Sequence, residues 1–378
     1  MRWEKVRLGN VTDSCLGKML DKAKNKGEYQ PYLANVDVRW GSFNLDDLSE
    51  MRFEDNEQER YGLKYGDLVI CEGGEPGRCA IWKEQIPNMK IQKALHRVRA
   101  HDCLDYRFLY YWFLLAGKTG ALEQYFTGAT IKHMPGEKLK SVLIDMPPIE
   151  VQRHIANILW VFDDLIENNQ KQIKLLKEAA QRLYKEWFVN LRFPGYETTP
   201  IVDGVPEGWK TVAVTDLLEI KYGKDHKLLD DGDIPVYGSG GIMRKVNKIL
   251  YSGESVLIPR KGSLNNILIV RGDFWTIDTM FYTIPKIPNV AKYVYLFLSG
   301  VDMYAMNIGA AVPSMTVKIL DGMKILLPST NVLGNFESTV SGYFDLIDVL
   351  EQENAALAQS RDLLLPKLMS GEIEEKPI

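Results

Sequence analysis

The chain has 378 residues, room for two or three domains, and its composition of 46% hydrophobic and 25% charged residues supplies cores of ordinary size. No apolar run approaches the roughly 18–20 residues of a membrane span, and the opening Met1-Arg2-Trp3-Glu4-Lys5 lacks the apolar stretch of a secretory signal. The net charge of −4 weighs mildly against nucleic-acid binding, although phosphate is bound by local patches that acidic segments elsewhere conceal in the total. Cys15, Cys71, Cys79 and Cys103 fall in the first third without C-x-x-C spacing and read as free thiols of a reducing cytoplasm.

In chain order, Trp3-Glu4-Lys5-Val6 opens a first unit, and a lysine cluster follows at Lys18, Lys22, Lys24 and Lys26. Gly66-Asp67-Leu68-Val69-Ile70 reads as a turn entering a buried strand. Gly73-Gly74-Glu75-Pro76-Gly77-Arg78 is glycine-rich, but no G-K-[ST] follows, so a hairpin turn is expected there rather than a phosphate loop. The aromatic block at 106–113 has no breaker and predicts a buried helix. Gly128-Ala129-Thr130-Ile131-Lys132-His133-Met134 and a strand ending at Pro147 close the unit. A helical pattern then covers 150–188, and the Pro and Gly residues of 192–208 mark a linker.

The same series returns. Gly208-Trp209-Lys210, Gly253-Glu254-Ser255-Val256-Leu257-Ile258, the block at 291–298, Gly309-Ala310 and a strand ending at Pro328 precede a second long helical pattern. The offset falls from 206 at the tryptophans (209 − 3) to 181 at the Gly-Ala pairs (309 − 128), so the first unit carries about 25 extra residues, expected mainly near 33–60. The expected domains are 1–148 and 209–329, each followed by a helix (149–190, 330–370), with a linker at 191–208 and a tail at 371–378.

Steps of four and three join Ile155, Leu159, Phe162, Ile166, Asn169, Ile173, Leu176, Ala180, Leu183 and Trp187. They likewise join Phe336, Val340, Tyr343, Ile347, Leu350, Asn354, Leu357, Arg361, Leu364 and Leu368. Two coiled-coil seams are one reading, and two amphipathic helices packed on their own domains are the other. Pro366 is expected to kink or end the second helix. An antiparallel pair with a constant residue sum of 523 (169 + 354) sets Asn169 opposite Asn354, Trp187 opposite Phe336, and Arg361 over the Phe162 ring. One heptad of slip either way leaves at least one amide against an apolar side chain, at about 1–3 kcal/mol. The fold class is therefore α+β: two similar α/β domains separated by two long antiparallel helices.

No catalytic constellation is visible. Asp145-Met146-Pro147-Pro148 lacks the asparagine of an adenine methyltransferase motif, and His96, His101, His133, His154 and His226 show no metal-ligand spacing. Four phrases in order do carry a resemblance: Pro147-Pro148-Ile149-Glu150-Val151-Gln152-Arg153, Leu183-Tyr184-Lys185-Glu186-Trp187-Phe188, Pro206-Glu207-Gly208-Trp209, and Leu365-Pro366-Lys367-Leu368-Met369-Ser370-Gly371-Glu372-Ile373. Over nearly its whole length the chain resembles the specificity subunit of a type I restriction–modification enzyme. One departure is Pro328-Ser329-Thr330-Asn331-Val332-Leu333, where the family pattern would repeat Pro-x-x-x-x-Gln.

The resemblance implies a cytoplasmic, non-enzymatic subunit. Each target-recognition domain would read half of a split, asymmetric site in double-stranded DNA, and the helices would set the spacing. Two methylation subunits, and restriction subunits in the full complex, would be its partners. Those partners would use S-adenosylmethionine, ATP and Mg2+; no cofactor or metal is expected in this chain.

Base readout needs two-point hydrogen-bonding side chains, and phosphate contacts need cations on loops. In the first unit the candidates are Lys18, Lys22, Lys24, Arg78, Gln92, Lys93, Thr130, Lys132 and His133. In the second they are Lys221, Lys224, His226, Lys227, Arg244, Lys245, Arg260, Lys261, Asn265 and Asn266. Solvated surface side chains are the alternative for each. Two other functions stay open: a self-contained DNA-modifying enzyme with an unrecognised site, and a coiled-coil scaffold that binds no DNA.

Overall fold

Each repeated segment builds the same scaffold in the computed structural model, which describes residues 3–19, 21, 25–306 and 314–372. The chain divides into two units, one of residues 1–168 with 353–378 and one of residues 169–352. In the first, Glu4–Arg7 pairs antiparallel with Leu143–Met146, and a four-stranded antiparallel sheet runs in the order Thr12–Leu16, Leu95–Ala100, Leu68–Cys71, Cys79–Ile81. In the second, Lys210–Ala213 pairs with Lys324–Leu327, and the sheet order is Leu218–Tyr222, Met280–Pro285, Ser255–Pro259, Leu268–Val270. The two orders match strand for strand.

The local reasons also repeat. Leu68–Cys71 and Ser255–Pro259 are buried along their whole length, as unbroken apolar runs of a covered sheet require. The aromatic block forms helix Tyr106–Thr119. Asp105 caps it by accepting hydrogen bonds from the N–H groups of Arg107 and Phe108, and Gly120 ends it at φ 72°. Its counterpart is Ala291–Ser299. After the first sheet strand of each unit the chain needs a residue without a side chain: a Cβ on Gly17 would stand 2.4 Å from the Gln92 carbonyl oxygen, and one on Gly223 2.0 Å from that of Ile277. These glycines keep the tryptophan offset of 206 (223 − 17).

The extra residues lie largely between the first sheet strand and the buried one. There the offset falls from 206 to 187 (255 − 68), absorbing 19 of the 25 residues. In both units this segment supplies an antiparallel pair whose inner strand takes a third strand in parallel, and each unit makes its own additions to that small sheet. The first unit adds a three-stranded sheet ordered Glu50–Phe53, Glu28–Leu33, Lys90–Ile91, and a short hairpin Val38–Arg39 with Ser42–Phe43. The second adds a four-stranded sheet ordered Gly241–Val246, Ile234–Gly238, Asp273–Thr276, Tyr251–Ser252.

The first long helix is Ile149–Tyr184, continued by a wider turn at Lys185–Val189; the second is Thr330–Met369. Gln152 secures the first start: fully buried, it donates to the Cys103 and Pro147 carbonyls and accepts from the Asp105 N–H. The second start does without a glutamine. Ser329 receives the Val332 and Leu333 N–H groups, and Leu333 is buried.

Two expectations need correcting. Of the two outcomes expected at Pro366, an end is overturned: the second helix runs on to Met369, because Leu365, Leu368 and Met369 are buried in the first unit's core with Ile155 and Leu159. Burying three such side chains contributes about 1.5–3 kcal/mol each, more than the roughly 3 kcal/mol a helical proline costs. The Arg361 guanidinium lies on the Asp163 carboxylate, with Tyr111 donating to the other oxygen at 2.6 Å, rather than over Phe162. A partly buried cation gains more from a carboxylate than from a ring. Within the second unit Trp187 stacks beside Phe336 at 5.7 Å and Lys177 pairs with Glu351 at 3.7 Å, so the helical segments there run in opposite directions. No described helix is long and apolar enough to cross a membrane.

Candidate nucleic-acid interface

In both units the predicted loops converge on one end of the four-stranded sheet. In the first, Lys93 donates its backbone N–H to Lys18, Glu72 to Ala94, and Met134 to Glu72, which draws together the loops at 17–18, 72–78, 92–94 and 127–134. In the second, Gly223 donates to Met280, Lys224 to Thr276, Arg260 to Thr279, and Met315 to Arg260. Met134 and Met315 each donate to the residue that follows the buried strand, Glu72 and Arg260; Gly309 and Ala310 lie outside the described residues.

Convergence does not make every candidate a free contact. Lys18 is buried at 3% exposure; its ammonium donates to Glu57 at 2.5 Å and to the Arg52 carbonyl at 2.8 Å. The expectation of a loop cation there is corrected, because strand Glu50–Phe53 covers this lysine and the helical turn Asp55–Glu57 after it supplies the counter-charge. Lys22 and Lys24 lie outside the described residues. Arg78 donates to Glu75 at 2.9 Å and to the Asn35 carbonyl at 3.0 Å. Gln92 is half-buried, while Lys93, Thr130, Lys132 and His133 are exposed. His133 closes its loop by exchanging two 2.8 Å backbone hydrogen bonds with Thr127. Lys132 lies 3.9 Å from Glu123, beside a cavity of about 520 Å³ that Trp40 and Phe126 help to line.

In the second unit Lys221 pairs with Glu219 at 2.5 Å, a contact that holds its ammonium above the usual lysine range. Lys224, Lys227, Lys245 and Lys261 are exposed. His226 is half-buried, and its Nδ1 has no hydrogen-bond partner among the described residues. Arg244 is held by Asp231 at 2.6 Å. Arg260 donates to the Asp278 carbonyl at 2.6 Å and its guanidinium lies 4.7 Å from the Tyr222 ring centre. Asn265 binds Asp302 and the Met303 N–H, and Asn266 donates to the Ser239 carbonyl. Arg78, Arg244, Arg260 and both asparagines thus shape the loops, and the exposed lysines are the cations left facing solvent. Asn169 is buried in the second unit and Asn354 is half-buried in the first.

Sequence reading passed over two cations that fasten a sheet to its own helix. Lys83 pairs with Glu167; Arg271 donates to Asp345 at 2.6 Å and also pairs with Asp348. Their separation of 188 (271 − 83) follows the repeat and was the available signal. Among the described residues no three His, Cys, Asp or Glu side chains gather as a metal site would need.

A family profile described as the type I restriction modification DNA specificity domain matches residues 1–178 and 206–358, both copies of the scaffold. The chain belongs to this family. Among its relatives, the type I restriction enzyme MjaIX specificity subunit of Methanocaldococcus jannaschii is 27% identical over 341 residues, covering 82% of this chain and 78% of that protein. The MjaVIII specificity subunit of the same organism is 24% identical, with 99% and 93% covered. The type I restriction–modification S subunit from M. genitalium shares the fold: its crystal structure aligns over 99% of this chain and 97% of its own, at a TM-score of 0.54 and 19% identity. The specificity-subunit resemblance and the α+β two-unit fold inferred from sequence are both borne out.

Proposed function

We propose that this specificity subunit reads double-stranded DNA without catalysing a reaction, each unit recognising one half of a bipartite, asymmetric site. The observation that carries the reading is a repeated scaffold whose loop ends differ. The sheets match in order, whereas the hairpin Val38–Arg39 with Ser42–Phe43 belongs to the first unit alone, the strand Tyr251–Ser252 to the second alone, and the basic loops beside them differ in sequence. Equal scaffolds present equal docking geometry, and unequal loops present unequal base contacts.

In this reading the two long helices set the half-site spacing and dock two methylation subunits, with restriction subunits joining in the full complex. Exposed Val161, Leu165, Leu346 and Val349 on those helices support a protein-binding role. S-adenosylmethionine, ATP and Mg2+ chemistry belongs to the partners.

The test is methyl transfer to plasmid DNA. The chain alone is expected to transfer none, and the chain with its methylation subunits is expected to modify one split sequence, mapped by methylome sequencing. Transfer by the chain alone would establish the self-contained enzyme. Lack of any salt-dependent DNA shift, alone or assembled, would establish the scaffold.

A further inference from the structure

The small sheet of the second unit ends on a hairpin, Ile234–Gly238 with Gly241–Val246, whose inner strand pairs with Asp273–Thr276 and whose outer strand is a sheet edge. Its register shifts between Val236 and Tyr237: Val236 pairs with Arg244, and Tyr237 pairs with Ile242. Met243 is therefore the extra residue of a β-bulge. A bulge re-aims side chains that alternation would send to opposite faces, and here both neighbours are exposed, Ile242 at 60% and Met243 at 57%. Gly238 makes room for this, since a Cβ there would stand 2.5 Å from the Met243 sulfur. The turn residues Gly240 and Gly241 have open space around them.

The hairpin is also held in place. Asn266 donates 2.8 Å to the Ser239 carbonyl at its tip, tying it to the loop that carries Arg260 and Lys261. Lys245 is exposed on the same strand, two residues beyond Met243. Two adjacent exposed apolar side chains at the turn end of an edge strand, with Lys245 next along it, fit an anionic duplex that offers apolar groups in its major groove. The thymine 5-methyl is such a group.

We propose that this sheet edge faces the major groove and that Ile242 and Met243 read thymine methyl groups in the half-site assigned to the second unit, with Lys245 and Lys261 on flanking phosphates. The proposal rests on the DNA-reading function above and adds specificity-determining residues to it.

The experiment uses the chain assembled with its methylation subunits and duplexes carrying its mapped target. Each thymine of the second half-site is replaced in turn by deoxyuridine, which removes the methyl and keeps the pairing. At one position or more, wild type is expected to bind about fourfold more weakly, the equivalent of losing one buried methyl-sized group. Ile242→Ala with Met243→Ala should bind thymine and deoxyuridine duplexes equally, and Ile242→Val should keep the discrimination. Both positions are exposed, and an unchanged unfolding midpoint verifies the variants. The proposal is overturned by a second half-site with no thymine, by undiminished discrimination in the double variant, or by equal weakening on unrelated DNA. Failure of wild type to bind any mapped target would instead remove the underlying function.

Discussion

Lys18 and Lys261 both follow sheet strands and read alike in sequence, but their surroundings separate their roles. Lys261 is exposed, so Lys261→Ala should reduce the slope of log K against log salt by about 0.9, the contribution of one phosphate contact. Lys18 already has Glu57, so Lys18→Ala should leave the slope unchanged and cost about 3 kcal/mol of stability, as breaking a buried pair does. Salt titrations of DNA binding and urea unfolding measure the two effects. Lys292 offers a pH test. Burial favours its neutral amine, but its hydrogen bonds to Glu254 and Glu337, at 2.6 and 2.5 Å, outweigh that and hold its pKa above the usual value. A raised lysine stabilises fully below the unfolded pKa of about 10.4 and loses its contribution as pH climbs through the folded value. Wild type should therefore exceed Lys292→Met by about 3–5 kcal/mol from neutral pH to about 9.5, with the gap shrinking above about 10.5. A gap that widens with pH would show the opposite shift.

The second long helix shows what a pattern can and cannot tell. Its seam was legible because ten apolar or paired positions keep one period, whereas its end was not, because propensity at Pro366 opposes a burial that only the packed core reveals. Replacing Pro366 with Ala should raise stability by about 2 kcal/mol: about 3 from helix propensity, less up to about 1 for a freer unfolded chain. Leu365→Ala should cost about 2–5 kcal/mol. Urea midpoints decide, and a destabilised Pro366→Ala would mean that the proline is matched to its place. The small sheets escaped sequence reading for another reason. Strands of two residues, such as Val38–Arg39 and Lys90–Ile91, are too short to show alternation. The basic loops could be listed from sequence, but which cations they spend internally depends on partners as distant as Lys18 and Glu57, or Arg260 and Asp278.

At the scale of the whole chain, duplication constrains what can vary. Each sheet, its capping helix and the Trp-strand pair repeat in the same order, so each unit holds a complete copy of the scaffold. The small sheets share three strands in one order but differ in what is added to them, a hairpin in the first unit and a fourth strand in the second, and they adjoin the loop ends that carry the exposed lysines. If sequence is read there, replacing residues 1–148 with the corresponding segment of another family member should change one half of the methylated target and leave the other half intact. The spacer is expected to stay constant as well, because the exchange ends before helix Ile149–Tyr184 begins. Methylome sequencing of cells carrying the chimaera reads all three features at once. A change in both halves would mean that the units read DNA jointly, and a change in spacing alone would shift the specificity from the loops to the helices.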